Sequence, residues 1–263
     1  MIKLAVFDVD GTLVKEGNAK VSGKTLLMLK QLQKNGIKVA IASGRPPFFV
    51  KGYLDKDFAF DYYVCVNGAY VANANFEEIS RNAMPLADVE NLIDDFVKHD
   101  DALMFQFDDA AYCYNGNKRI TKMISHWIGN VDVLVDHRKE KSRHFNDLPL
   151  GIVCTIEPSH MEYYQKKYPH LAFDAFSENH YDVHVKDYSK ADGVKVLSDA
   201  LTIDIKEVIA FGDNYNDLQM LESVGIGVAM GNAKDELKAV ADYVTKKVEE
   251  DGTYHACKHF NLI

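Results

Sequence analysis

The chain has 263 residues, room for one large or two modest domains, and its 47% hydrophobic and 26% charged content is that of a folded globular protein rather than a disordered one. A net charge of −9 argues against a nucleic-acid backbone or an acidic membrane surface as partner, because both require concentrated basic residues. Cys65, Cys113, Cys154 and Cys257 are scattered without a Cys-x-x-Cys pair, which reads as free thiols in a reducing, cytoplasmic setting rather than as a zinc site or disulfide framework. The N-terminus starts on a core strand with no signal-like segment, and no stretch approaches the roughly 18 apolar residues of a membrane span.

In chain order, the apolar run Ile2-Lys3-Leu4-Ala5-Val6-Phe7 predicts a buried strand that ends in two carboxylates, Asp8 and Asp10, followed by Gly11-Thr12. Strand residues alternate faces, so Asp8 and Asp10 share a side if the strand persists. Two carboxylates held that close repel, and the usual remedies are a bound cation or a shared proton. Residues 22–35 predict a helix, with Leu26, Leu29 and Leu32 at helical spacing, Ser22 as N-cap and Asn35-Gly36 as the stop. Residues 37–42 predict a second buried strand running into Ser43-Gly44-Arg45-Pro46, and residues 62–66 a third ending in Asn67-Gly68. Strand, helix and strand in such quick succession form a βαβ unit, hence a parallel sheet with right-handed crossovers. Ligands of such sheets sit beyond the carboxyl ends of the strands, where these polar tips gather.

From residue 83 to 187 the pattern changes. Leu103-Met104-Phe105-Gln106-Phe107 and Ala111-Tyr112-Cys113-Tyr114, separated by Asp108-Asp109, predict a hairpin with one face exposed, and residues 87–99 and 117–128 predict helices. The core pattern resumes with a helix over 191–200, opened by Ser189-Lys190-Ala191-Asp192-Gly193. A strand over 208–211 then runs into Gly212-Asp213-Asn214-Tyr215-Asn216-Asp217. A helix through Leu218 and Leu221, a strand over 226–229, a helix over 233–240 and a short strand at Tyr243-Val244 complete it. The expected organisation is a doubly wound α/β, Rossmann-like core of residues 1–82 and 188–263, interrupted by an α+β insertion of residues 83–187.

Together these tips supply carboxylates for a metal, a hydroxyl and backbone amides for phosphate oxygens, and a lysine for charge. In this order and spacing they resemble the haloacid dehalogenase superfamily phosphatases, in particular the Cof-type branch with a large cap domain. Asp8-Val9-Asp10-Gly11-Thr12 matches the first motif, Ser43 the second, Lys190 the third and Gly212-Asp213-Asn214-Tyr215-Asn216-Asp217 the fourth; Ala229-Met230-Gly231-Asn232-Ala233 and Glu250-Asp251-Gly252 also resemble that branch. The resemblance implies an Mg²⁺-dependent phosphatase of small phosphorylated metabolites, with sugar phosphates foremost. It implies Asp8 as the nucleophile that forms an aspartyl phosphate, and Asp10 as general acid and then general base. Mg²⁺ would be held by the Asp8 carboxylate, the Asp10 backbone carbonyl and Asp213, with Asp217 in support, a donor set of hard oxygens suited to that ion. Ser43, the Gly44 amide and Asn216 would hydrogen-bond phosphate oxygens, Lys190 would compensate charge and Thr12 would stabilise the turn.

Simpler readings compete at several positions. Alone, Ser43-Gly44 is a turn and Lys190 a surface lysine. Gly225, Gly227 and Gly231 lack the spacing of a dinucleotide loop. His255 and His259 flank Cys257 on what reads as a terminal helix without further zinc ligands, and His180 and His184 share one face of a predicted strand. The acids Asp94-Asp95 and Asp100-Asp101 read as a solvated helix end. In a capped phosphatase the cap selects the leaving group, so Phe105 and Phe107, or Tyr112 and Tyr114, either line that cavity or, more simply, fill the insertion's own core. A phosphotransferase or mutase of the same superfamily is the alternative activity. A phospho-ligand sensor without turnover is a third reading, disfavoured by the intact Asp8 and Asp10.

Overall fold

The computed structural model describes residues 1–15, 20–53, 58–127, 134–137, 139, 142–186 and 188–263. It divides into two compact units, Met1–Arg81 with Tyr188–Ile263, and Asn82–Asp187. Asp187, expected to close the insertion, and Ile128, expected to close the helix begun at Asn117, lie outside the described residues.

The first unit opens with β1 (Leu4–Phe7), α1 (Gly23–Lys34), β2 (Lys38–Ala42), α2 (Pro47–Tyr53), β3 (Tyr62–Cys65), β4 (Tyr70–Asn73) and β5 (Glu78–Arg81). The second contains α3 (Leu86–Lys98), β6 (Ala102–Gln106), β7 (Ala111–Asn115), α4 (Asn117–Trp127), β8 (Leu134–Asp136), α5 (Arg143–Asn146), β9 (Gly151–Thr155), α6 (Pro158–Lys167), β10 (Leu171–Ser177) and β11 (His180–Val185). The chain then returns to the first unit through α7 (Lys190–Ala200), β12 (Val208–Gly212), α8 (Leu218–Ser223), β13 (Ile226–Ala229), α9 (Asp235–Val240), β14 (Tyr243–Val244) and α10 (Gly252–His259).

The first unit's sheet has the order β14-β13-β12-β1-β2-β3-β4-β5. All pairings from β14 to β3 are parallel, whereas β4 and β5 add antiparallel strands at one edge. β1 lies in the middle, with Leu4 beside both Val208 and Lys38. Its four residues are buried, as a strand covered on both faces must be. Leu4 and Val6 pack into a cluster with Val194 and Leu197 of α7 and Met220 and Leu221 of α8. By alternation Phe7 falls on the opposite face, where its ring stacks on Phe211 at 4.6 Å.

Local chemistry sets the helices that frame the site. Ser22 Oγ accepts from the Thr25 amide at 3.1 Å to start α1, and Met28, Leu29 and Leu32 bury its inner face. Each such side chain contributes about 1.5–3 kcal/mol on burial. Ser189 and Asp192 form a reciprocal capping box at the start of α7. Gly68, at φ +97°, lies so near that turn that a Cβ on it would fall 2.1 Å from the Ser189 carbonyl oxygen. The missing side chain therefore lets the end of β3 touch the start of α7, which fixes where Lys190 emerges.

In the second unit the sheet order is β10-β11-β9-β6-β7-β8. Two expectations are corrected there. β6 is buried along its whole length rather than half exposed, because it is an inner strand with α3 and α4 both packed against it. Phe105, Phe107 and Tyr114 lie within that unit's core beside Leu92, Phe96 and Tyr164, with Tyr112 packed on its margin, so core packing accounts for the aromatic alternation. Nor are all the paired acids solvated. Asp101 is fully buried and accepts from the Glu157 amide, His160 Nδ1 and Tyr164 Oη, each at 3.0 Å. Asp95 is buried and accepts from Tyr163 Oη at 2.8 Å and Tyr168 Oη at 2.6 Å, with Lys167 Nζ 2.7 Å away. A buried carboxylate persists only when so satisfied. Asp94 and Asp100 are exposed. All four cysteines are free and buried, and among the described residues no helix is long and apolar enough to cross a membrane.

Candidate active site

β1 and β12 are parallel neighbours, so their carboxyl ends deliver Asp8 and Asp213 to the same edge of the sheet. β1 stops at Phe7, earlier than Asp10, because Val9 begins a tight turn whose carbonyl accepts from the Leu13 and Val14 amides at 2.9 and 3.0 Å. Asp8 and Asp10 consequently turn to different partners. Asp8 Oδ1 accepts from Lys190 Nζ at 2.7 Å, and the same ammonium donates to Asp217 Oδ1 at 2.6 Å. Lys190 and Asp217 are 1% and 0% exposed, so this ion pair sits out of water.

Burial pushes the Asp8 carboxyl well above the usual carboxylate range; Lys190 opposes the rise while Asp217 and Asp213 add to it. Burial alone would lower the Lys190 pKa, but attraction to Asp217 and Asp8 outweighs it, and the ammonium stays charged. Asp217 is already fully engaged, since its Oδ2 accepts from the Asp213 and Asn214 amides at 2.9 and 3.1 Å. It acts as a clamp on the turn that carries Asp213.

Oxygens of Asp8, Asp213 and Asp217 all lie within 4.8 Å of one another, the one grouping of metal-ligating side chains of this kind among the described residues. Three carboxylates facing one ammonium leave an excess of negative charge that a hard divalent cation neutralises, so the donor set fits such an ion. Asp213 is steered from three directions. Thr12 Oγ1 donates to its Oδ1 at 3.3 Å, Asn232 Nδ2 to its Oδ2 at 3.3 Å, and Gly11 leaves it room. Gly11 has φ +86°, and a Cβ there would lie 2.2 Å from Asp213 Oδ2.

On the other side of Asp8, the end of β2 places Ser43, which is 2% exposed and accepts on Oγ from the Arg45 amide at 3.2 Å. Gly44 abuts the Asn67 side chain, and Asn67 Oδ1 accepts from Asn216 Nδ2 at 3.1 Å. Asn67 reaches this position from a left-handed backbone at φ 49°, ψ 37°, a conformation asparagine tolerates better than most residues. Arg45 grips Asp10 with both arms of its guanidinium, Nε to Oδ2 at 2.6 Å and Nη2 to Oδ1 at 2.7 Å.

A family model for haloacid dehalogenase-like hydrolases matches residues 5–257. The chain belongs to that family. The hydrolase is 33% identical over 265 residues to YkrA of Bacillus subtilis strain 168, provisionally named a phosphatase, with 99% of this chain and 98% of YkrA covered. It matches a solved structure from Geobacillus kaustophilus HTA426 with a TM-score of 0.90 at 31% identity, covering 100% of both chains. It matches the subclass IIB sugar phosphatase BT4131 with a TM-score of 0.84 at 29% identity, covering 99% of this chain and 100% of that one.

Within the hydrolase, Asp8, Lys190, Asp213 and Asp217 form one contiguous cluster, with Thr12 hydrogen-bonded to its edge. Ser43, Gly44 and Asn216 gather around Asn67 and Arg45, and the Asp10 carboxylate joins that second group through Arg45. Arg45, Asn67 and Asn232 were given no role from sequence. The first two stand at strand ends, which is the signal that could have found them; Asn232 lies in a tail segment whose contact with Gly11, 221 residues away, has no local trace. His180 and His184 are satisfied within the second unit, by Thr155 Oγ1 at 2.9 Å and by Asp174 Oδ2 at 3.0 Å.

Proposed function

We propose that this phosphatase hydrolyses small phosphorylated metabolites, sugar phosphates foremost, with Mg²⁺ and through an aspartyl phosphate on Asp8. The observation that carries the reading is the Asp8–Lys190–Asp217 ion cluster beside Asp213, a charge arrangement that is poorly balanced until a divalent cation joins it. Mg²⁺ would be held by Asp8, Asp213 and the Asp10 backbone carbonyl, and when bound it supplies the positive charge that lets an anionic nucleophile approach an anionic phosphate.

Lys190 holds Asp8 by Oδ1, which leaves Oδ2 as the attacking atom. Attack of that oxygen on phosphorus expels the leaving alcohol as Asp10 gives it a proton. Water then attacks the phosphoryl group of the aspartyl phosphate while Asp10 takes the water's proton, and Asp8 is released with inorganic phosphate. Ser43, the Gly44 amide and Asn216 hold the phosphate oxygens during both steps. The similarity to a protein described as a sugar phosphatase supports the substrate class, and the four free buried cysteines agree with a cytoplasmic setting. We assign substrate choice to the unit Asn82–Asp187, through residues other than the buried Phe105, Phe107 and Tyr114.

The test is phosphate release from sugar phosphates, nucleotides, cofactor phosphates and an activated aryl phosphate, with and without Mg²⁺. Metal-dependent release that Asp8→Asn abolishes without unfolding the chain is the expected result. Full activity in Asp8→Asn would remove the nucleophile. Release that occurs only on addition of an acceptor alcohol would make the enzyme a transferase.

A further inference from the structure

Arg45 is a strong cation beside Asp10 that the proposed mechanism leaves unused. Its placement is overdetermined. The residue lies between β2 and α2, its backbone amide donates to Ser43 Oγ, and its guanidinium carbon stands 4.2 Å over the centre of the Phe49 ring. From that position both arms meet Asp10, at 2.6 and 2.7 Å. Arg45 and Asp10 keep 25% and 29% of their side-chain surface exposed, so a substrate can still reach them.

A carboxylate has about four lone-pair sites on its two oxygens. A parallel fork takes one on each oxygen and fixes the plane of the group, leaving the outer lone pairs in set directions. The Asp10 backbone is itself pinned, since residue 10 bridges to Val14 and the neighbouring Gly11 amide donates to the Val14 carbonyl at 2.7 Å. What remains free is side-chain rotation, and that is what the guanidinium removes. We propose that Arg45 is a positioning residue for proton transfer: it fixes the plane of the Asp10 carboxyl so that one outer oxygen position carries its proton to the oxygen of the leaving group and, emptied by that transfer, then accepts a proton from the attacking water. The inference rests on the proposed role of Asp10 as general acid and base. A lysine, with a point charge and no planar fork, fixes no such plane.

The experiment compares the single-turnover rate of phosphoryl transfer to Asp8, together with KM, across alkyl phosphates and aryl phosphates of graded leaving-group basicity, in the full chain with Mg²⁺. Arg45→Met should lose about 100-fold in that transfer rate on alkyl phosphates, the usual cost of a misplaced reacting group. On a nitrophenyl phosphate, whose leaving oxygen barely needs a proton, the loss should be below about tenfold. KM should stay within about threefold, because a group acting through Asp10 contributes little to ground-state binding. Arg45→Lys should recover little, added guanidinium should restore part of the activity of Arg45→Met, and Phe49→Leu should shift the leaving-group dependence in the same direction but less. Adding Arg45→Met to Asp10→Asn should cost nothing further on alkyl phosphates, as expected of two groups acting as a unit. A raised KM with an unchanged phosphoryl-transfer rate would overturn the inference in favour of direct substrate binding. An equal loss of the phosphoryl-transfer rate on every substrate would overturn it in favour of a structural role. If Asp10→Asn itself shows no leaving-group dependence, the proposed mechanism fails; if Asp10→Asn shows it and Arg45→Met does not, only this inference fails.

Discussion

Lys190→Met removes an ammonium and leaves a side chain of similar length and apolar character. In the native chain that ammonium lies 2.7 Å from Asp8 and 2.6 Å from Asp217, with 1% of the residue exposed. The substitution leaves Asp8, Asp213 and Asp217 crowded within 4.8 Å of one another without their lysine. Removing one partner from a buried ion pair costs about 3–5 kcal/mol, because the orphaned charge can neither reach water nor find a new partner. For a domain of this size each kcal/mol moves the melting temperature by about 2–4 °C, so a drop of roughly 6–20 °C is expected in EDTA. A divalent cation binding among the three carboxylates replaces the lost positive charge, so Mg²⁺ in excess should raise the melting temperature of Lys190→Met more than that of the wild type. Thermal melts of both proteins in EDTA and in Mg²⁺ provide the assay. Equal stability of the two in EDTA, or an equal rise in both with Mg²⁺, would refute the account of Lys190 as the internal counter-ion of a cation site.

Two further outcomes test other parts of the structure. Gly11→Ala puts a Cβ 2.2 Å from Asp213 Oδ2 at a left-handed backbone position, so Asp213 must move; Mg²⁺ affinity, measured by titration calorimetry, should fall about 10–100-fold. His184 places one ring nitrogen on the Val185 carbonyl and the other on Asp174, each at 3.0 Å, and two acceptors favour the doubly protonated ring. Burial acts against that charge, yet these hydrogen bonds and the Asp174 carboxylate raise the folded pKa above 6.5. The stabilisation is therefore fully present below pH 6.5 and lost as pH climbs through the raised folded value. His184→Gln should cost about 0.5–1 kcal/mol at about pH 5.5 and less at about pH 8 in urea unfolding, and an equal cost at both would exclude a charged His184.

The grouping of the candidate site was legible because Asp8, Ser43, Asp213 and Lys190 are each written at the end of a strand or the start of a helix. Asp8, Ser43 and Asp213 follow apolar runs, and parallel pairing of β1 with β2 and β12 then brings those ends together. Lys190 carried little information alone, since a solvated lysine and one buried between two carboxylates have the same neighbours in sequence; only the motif order distinguished them. Asp101 shows where local reading fails. Its position after α3 resembles a solvated helix end, and the groups that bury it, His160 and Tyr164, arrive 59 and 63 residues later. The hairpin aromatics failed for a related reason: alternation states that two faces differ, and not whether the second face meets water or another helix. The edge strands β4 and β5 were also unseen, for their short runs carry neither a long apolar stretch nor a reactive tip.

The split of the first unit also sets an order of assembly. β1 leaves the ribosome before the other strands of its sheet, yet one of its two neighbours, β12, begins at Val208. At about 5–20 residues per second, the chain from Arg81 to Val208 takes on the order of ten seconds to make. Through that interval β1 to β5 can pair only among themselves, with one apolar edge of β1 bare, while the whole of Asn82–Asp187 is made. Asp8 and Lys190 meet only after that wait. The nascent chain thus has Asp8 long before it has the lysine that holds it, and it is most exposed to edge-to-edge pairing with its own kind just before this sheet is complete.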